Sequence, residues 1–278
     1  MIAHALASPP PRTSATTTVL TSLLEARTGQ QMASYRAWRL DTALAPLLRE
    51  RRLDTLDQLV TQLLASDERG LADRIVDALL NGETSFFRDA AIFDQIADVV
   101  QAAAADPGRG GRRPRVWSAG CSTGQEPLSL AMLLAERGGT MPDIVATDVS
   151  DHALARARAG RYSQFEIQRG LPIRRMMRWF DGMPDGEWVA KPELMRLVSF
   201  RRMNLAADAT PAGPFDLLLC RNVLLYLSPE LKAQCFARFA RALRPGGTLV
   251  LGAGETVIGQ TAMFEPSPIH RGFYTRVG

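Results

Sequence analysis

The chain has 278 residues, 46% hydrophobic and 22% charged, with a formal net charge of +4. That length suits one large domain plus a small one, the composition is that of an ordinary globular protein, and no apolar run approaches the roughly 18 residues needed to span a membrane. Cys121, Cys220 and Cys235 form no C-x-x-C pair and His4, His152 and His270 are scattered, which excludes a disulfide framework and a zinc cluster and fits a reducing cytoplasm. The amino terminus lacks the basic start and apolar stretch of a signal peptide, so export is not expected. The basic residues are nearly all Arg; so small a surplus compels no nucleic-acid partner and reads first as a solvated surface.

In chain order, residues 1 to 14 form a polar, proline-rich segment (Ser8, Pro9, Pro10, Pro11, Ser14) expected to be a disordered tail. From Thr16 to Asn81 the spacing predicts several short helices, with apolar faces at Leu20, Leu23 and Leu24, at Leu56, Leu59 and Leu63, and at Leu71, Ile75, Ala78 and Leu79. A basic helix region lies between them, with Tyr35-Arg36-Ala37-Trp38-Arg39 and Arg49, Arg51 and Arg52. It reads either as a solvated face or as a surface for an acidic partner helix. Asn81-Gly82 marks a break, and Glu83-Thr84-Ser85-Phe86-Phe87-Arg88 leads into a helix from Asp89 through Ile92, Phe93, Ile96 and Val99. Phe86 and Phe87 could plug a seam between domains while Arg88 makes a surface salt bridge; alternatively, the segment crosses the mouth of a ligand pocket. Ala102 to Gly111 reads as a loop.

Val116 to Pro127 is the stretch around which the rest is arranged: a buried strand, a glycine turn (Gly120, Gly124), and a helix expected to start at Pro127. A glycine turn between strand and helix is how an α/β sheet presents backbone to a nucleotide, yet two glycines four apart match neither G-x-G-x-x-G nor a G-K-[ST] phosphate loop. Glu126, an acid in the first helical turn, suits the helix dipole but would repel a pyrophosphate there. A ligand carrying an ammonium and a sulfonium, S-adenosylmethionine, wants that anion. The bland alternative is a favourable first-turn acid and nothing more.

Asp143 to Asp148 is a second strand ending in an acid, where a doubly wound sheet places a carboxylate for ribose hydroxyls; Asp148 could instead cap the helix Ser150 to Ala159. Residues 161 to 197 break the strand–helix rhythm, with a helix (Leu171 to Phe180) and two short strands around Glu187-Trp188-Val189 and Leu197-Val198-Ser199-Phe200, read as an inserted antiparallel hairpin. Phe215 to Cys220 is a near-continuous apolar run, the mark of a strand covered on both faces, and it leads into Arg221-Asn222-Val223-Leu224-Leu225-Tyr226. A helix capped by Ser228 is stopped by Arg244-Pro245-Gly246-Gly247, Thr248 to Leu251 is another buried strand, and Phe273 to Val277 is a last, antiparallel edge strand.

With these motifs in place, the chain closely resembles the chemotaxis receptor methyltransferases, the CheR family. The resemblance covers residues 16 to 277 and rests on Glu83-Thr84-Ser85-Phe86-Phe87-Arg88, the Trp117-to-Pro127 turn, Ala146-Thr147-Asp148, Asn204-Leu205, and Cys220-Arg221-Asn222-Val223 with Tyr226. It implies an α/β fold, a Rossmann-like methyltransferase sheet with a small N-terminal helical domain (15–82), a linker and first helix (83–111), and a cofactor-binding domain (112–278) with a β-subdomain inserted at about 161–200. It implies S-adenosylmethionine as cofactor, S-adenosylhomocysteine as product, and methyl esterification of glutamates on the cytoplasmic helices of chemoreceptors by a cytoplasmic monomer that neither binds nucleic acid nor inserts into a membrane.

Position by position, the resemblance puts Thr84 and Arg88 against the methionine end and the active site. It puts Glu126 on the amino group, beside the turn at Gly120, Asp148 on the ribose, and Asn204 and Leu205 on the adenine. Asn222 and Val223 line the reacting centre and Tyr226 lies close to the methyl. Two positions depart from the family pattern: Gly82 stands where an Asn is common, with Asn81 displaced by one, and Asp41 to Leu48 replaces part of an Arg-bearing receptor-binding helix. The alternatives are a cofactor-binding signalling module of the same family, or a methyltransferase with another substrate; no N-P-P-Y motif of the kind used on base nitrogens is present.

Overall fold

The computed structural model describes residues 14–33, 38–65 and 69–278. The expected tail over residues 1–13 and the Tyr35-Arg36-Ala37 portion of the basic region lie outside the described residues. The chain divides into two compact units, one ending at Leu80 and one running from Asn81 to Gly278.

Among the described residues the first unit holds four helices: α1 (Ala15–Thr28), α2 (Arg39–Arg51), α3 (Leu56–Ala65) and α4 (Arg69–Leu79). Leu20, Leu24, Leu40, Leu44, Leu59, Leu71 and Ile75 form its core, at the three- and four-residue spacings that put side chains on one helical face. Ser14 caps α1 by accepting from the Thr17 N–H at 3.1 Å. Arg49 and Arg51 occupy the last turn of α2, where cations complement the carbonyl end of the helix.

The second unit is built on a seven-stranded sheet of β1 (Arg115–Ala119), β2 (Asp143–Asp148), β6 (Val198–Arg202), β7 (Phe215–Cys220), β8 (Leu243–Leu251), β9 (Phe264–Pro266) and β10 (Phe273–Arg276). Their order is β6-β2-β1-β7-β8-β10-β9. The first five are parallel, whereas β10 runs antiparallel to β8 and to β9. Alternate residues enter opposite cores: Val116, Leu217, Leu219 and Val250 on one face, Trp117, Leu218, Cys220 and Leu249 on the other. This is why β7 carries no polar alternation. Helices α5 (Ala90–Ala105) and α6 (Gln125–Arg137) contribute Phe93, Ile96, Leu128 and Leu130 to the first core, and α11 (Pro229–Ala242) contributes Phe236 and Phe239 to the second.

Several boundaries differ from expectation. The stretch read as a loop from Ala102 is still α5 as far as Ala105, because alanine is the best helix former and Ala103 is buried. Helix α6 begins at Gln125, so Pro127 stands third rather than first; any of the first four N–H groups lacks a helical partner, so a proline fits there too.

Residues 198–202 do not form a hairpin with 188–190. The small antiparallel sheet is instead β3 (Arg161–Tyr162), β5 (Trp188–Ala190) and β4 (Phe180–Gly182), in the order β3-β5-β4. The short helix α10 (Pro192–Met195) separates β5 from β6, and β6 adds in parallel to β2. Arg244-Pro245-Gly246-Gly247 lies within β8, with a register irregularity between Phe215 and Leu217 of its partner β7. An irregular ladder accommodates a proline that cannot donate. The outermost strand on that side is β9, with β10 inside it.

Candidate active site

The strand order places the connections from β1 to β2 and from β7 to β8 on opposite sides. The crevice between the carboxyl ends of β1 and β7 is therefore a topological switch point, where open α/β sheets bind ligands. The glycine turn leaves β1 there, and the Asn222–Val223 loop leaves β7 beside it. Gly120 has φ +77°, and a Cβ on it would lie 2.4 Å from Val223 Cγ2. The two segments approach so closely that only a glycine fits.

The turn is shaped by acceptors at the end of β2. The N–H groups of Gly120 and Cys121 both donate to the Thr147 carbonyl, at 2.8 and 2.9 Å. Asp148 accepts from the Ser122 N–H at 2.8 Å and the Ser150 N–H at 2.9 Å. Helix α7 (Asp151–Ala159) is capped by Ser150, which accepts from the Ala153 N–H at 3.0 Å. Asp148 thus belongs to the turn, and the capping alternative falls to its neighbour. Asn204 follows β6, where the Met203 N–H donates to the Asp148 carbonyl at 2.8 Å. The Asn204 side-chain oxygen accepts from the Ala206 N–H at 2.9 Å, and the Leu205 carbonyl accepts from Arg238 Nη1 at 2.6 Å.

Glu126 is largely buried and accepts from Ser118 Oγ at 2.8 Å and from Arg221 Nη1 at 3.1 Å. Arg221, whose side chain is 2% exposed, reaches further: its Nη2 donates to the Arg88 carbonyl at 2.9 Å and to Asp89 Oδ2 at 2.6 Å. One buried guanidinium therefore ties the end of β7 to the first turn of α6 and to the segment before α5. Burial, then the negative charges of Asp148 and Glu126, push the Cys121 thiol well above its usual range. Two carboxylates, Asp148 and Glu126, thus flank the turn, an arrangement that suits a cationic ligand.

The segment before α5 is latched onto this turn. Ser122 Oγ donates to the Gly82 carbonyl at 2.7 Å, and the Phe87 N–H donates to Ser129 Oγ of α6 at 3.0 Å. Phe86 and Phe87 are buried in the core of the α/β unit, Phe86 edge-on to Tyr162 and Phe180. They anchor the strap from beneath, and half-buried Thr84 and Arg88 ride on it. Arg88 Nη1 donates to the Glu83 carbonyl at 3.1 Å, and no carboxylate pairs with its guanidinium among the described residues, so the surface salt bridge is not made. Tyr226 receives a hydrogen bond on its hydroxyl from Asn81 Nδ2. The displaced asparagine thus touches a residue expected near the reaction centre.

Asn222 adopts φ +60°. Its Oδ1 is buried with no donor among the described residues. A buried acceptor without a donor is costly, and it fits a ligand that brings its own N–H or O–H. Two residues of the site received no role from the sequence: Arg221, inside a quoted motif, and Glu255, whose carboxylate binds the Asn222 loop. Glu255 follows a buried strand in Gly252-Ala253-Gly254, and an acid in such a glycine-rich turn is the signal that could have found it. A cleft of about 940 Å³ is lined by Arg221 and Glu255, by Asp89 to Ile92 and by the hairpin around His270. None of the expected site residues borders it.

Among the described residues, no helix is long and apolar enough to cross a membrane. The sequence model described as "CheR methyltransferase, SAM binding domain" matches residues 82–273. A chemotaxis protein methyltransferase of Vibrio parahaemolyticus is 37% identical over 249 residues, covering 87% of this chain and 89% of the relative. Chemotaxis protein methyltransferase 1 of Pseudomonas aeruginosa is 37% identical over 241 residues, covering 84% and 87%. The Escherichia coli chemotaxis protein methyltransferase is 31% identical over 243 residues, covering 85% and 82%. A glycine turn bracketed by carboxylates at the switch point of a mostly parallel sheet, matched by that family over most of its length, means that this chain belongs to the CheR methyltransferases and is an S-adenosylmethionine-dependent enzyme.

Proposed function

We propose that this enzyme forms methyl esters on glutamate side chains of the cytoplasmic helices of chemoreceptors, acting as a cytoplasmic monomer in sensory adaptation. The observation that carries the reading is Arg88: a guanidinium on a strap latched over the glycine turn, engaged by one carbonyl and by no acid among the described residues. An incoming carboxylate can use its remaining donors bidentately. When bound, S-adenosylmethionine supplies a methyl group on a sulfonium, open to in-line attack.

In this reading Glu126 holds the amino group, Asp148 the ribose, and Asn204 and Leu205 the adenine. Thr84 closes the methionine end beside Gly120, Asn222 and Val223 line the reacting centre, and Tyr226 closes the pocket over the reacting atoms. A glutamate with a reference pKa near 4.3 is already ionised at neutral pH, so no general base is needed. Alignment by Arg88 is the larger lever, because orientation alone supplies up to about 7–11 kcal/mol in well-placed reactants. The helical segment, residues 15–82, is the proposed receptor-recognising domain, joined through the linker and helix of 83–111.

A methyl-ester assay on candidate receptor fragments, scored by base-labile release of methanol, tests the activity. Arg88→Ala should lose turnover by about a hundredfold or more, while its affinity for S-adenosylhomocysteine in calorimetry stays within a few-fold of wild type. Wild-type turnover would remove Arg88 from the mechanism. Glu126→Gln and Asp148→Asn should each weaken S-adenosylhomocysteine binding by about tenfold; unchanged affinity in both would move the pocket elsewhere.

A further inference from the structure

Glu255 spreads one carboxylate over four backbone donors. Its Oε2 accepts from the N–H of Asn222 at 2.7 Å and of Gly252 at 2.8 Å, and its Oε1 accepts from Val223 at 2.9 Å and Leu225 at 3.2 Å. Three of these donors belong to the loop that leaves β7. Asn222 sits there at φ +60°, a left-handed conformation that persists in a non-glycine residue only where its surroundings enforce it. The loop is also hemmed in from both sides. A Cβ on Gly120 would meet Val223 Cγ2 at 2.4 Å, and a Cβ on Gly252 would meet both the backbone and side-chain nitrogens of Asn222 at 2.8 Å.

We infer that Glu255 is a positioning residue for the cofactor site: it fixes the Asn222–Val223 backbone so that the buried, unpartnered Asn222 Oδ1 faces the ligand. The chemistry demands an anionic acceptor. An ionised carboxylate offers two oxygens and about four lone-pair sites, matching four N–H donors. A glutamine of the same shape turns an NH₂ toward two of them and leaves both without an acceptor, and an aspartate, one methylene shorter, cannot reach all four. The inference rests on the reading that puts the cofactor against Asn222 and Val223.

The test is calorimetric titration of the full-length protein with S-adenosylhomocysteine. Glu255→Gln should raise the Kd about tenfold or more, with unchanged stoichiometry, and Glu255→Asp should fall between it and wild type. The amides of Asn222, Val223 and Leu225 should lose hydrogen-exchange protection in both. A merely structural role would instead lower the stoichiometry through unfolded protein and leave the Kd of the folded fraction alone, which would overturn the inference. A wild-type Kd in the aspartate variant would do the same, and that variant retains the charge should the glutamine protein prove too unstable to titrate. Asn222→Ala tells the two readings apart: weakened binding there with wild-type binding in the Glu255 variants sinks the Glu255 role alone, whereas wild-type binding in Asn222→Ala sinks both.

Discussion

Replacing Arg221 by methionine should destabilise the α/β unit by about 3–5 kcal/mol, the cost of breaking a buried ion pair by removing one partner. Most of the loss arises at Glu126, whose side chain is 14% exposed and would keep only the Ser118 hydroxyl as donor. Asp89, at 54% exposed, regains water and contributes little. The Arg88 carbonyl also loses its donor, which frees the strap and should weaken S-adenosylhomocysteine binding together with stability. Urea unfolding measures the loss. A double-mutant cycle with Glu126→Gln should give a coupling of about 1–3 kcal/mol, as expected for groups in one hydrogen-bonded network. A total loss below about 1 kcal/mol would mean that the pair is solvated and that Arg221 ties nothing together.

Gly120→Ala should cost about 2–4 kcal/mol and abolish cofactor binding. Two physical terms add here. At φ +77° an alanine is strained by about 1 kcal/mol, and its Cβ would overlap Val223 Cγ2, where overpacking costs about 1–3 kcal/mol. The terms separate experimentally, because Val223→Ala removes the overlapping methyl and leaves the backbone strain. The double variant should therefore be more stable than Gly120→Ala alone, though still below Val223→Ala, in thermal unfolding. If Val223→Ala recovers nothing, the close approach of the glycine turn to the loop after β7 is not what requires glycine.

Much of this site was legible because its determinants are local. The glycine turn and the acid of the first helical turn lie within Gly120 to Glu126, and the acid closing β2 ends a short apolar strand. Sequence spacing therefore places them on one edge of a sheet. The competing explanations of Phe86 and Phe87 were not separable in this way. Whether they plug a seam or anchor a strap depends on Tyr162, Phe180 and Ser129, some 40 to 95 positions away. The hairpin assigned to residues 188 and 198 failed for a related reason: two short strands in succession look paired, yet β6 joins β2, some 54 positions earlier in the chain.

What the sequence determined by itself is the class of ligand and the succession of β1, β2, β7 and β8 with the helices that follow the first three, because charge, glycine and apolar periodicity act over a few neighbouring residues. The tertiary structure alone decided which atoms hold the site together. Arg221 meets Glu126 across 95 positions and Asp89 across 132, and Glu255 meets Asn222 across 33. A buried charge is tolerated only where donors and acceptors from distant segments surround it, and no local pattern records which segments the fold will bring to it.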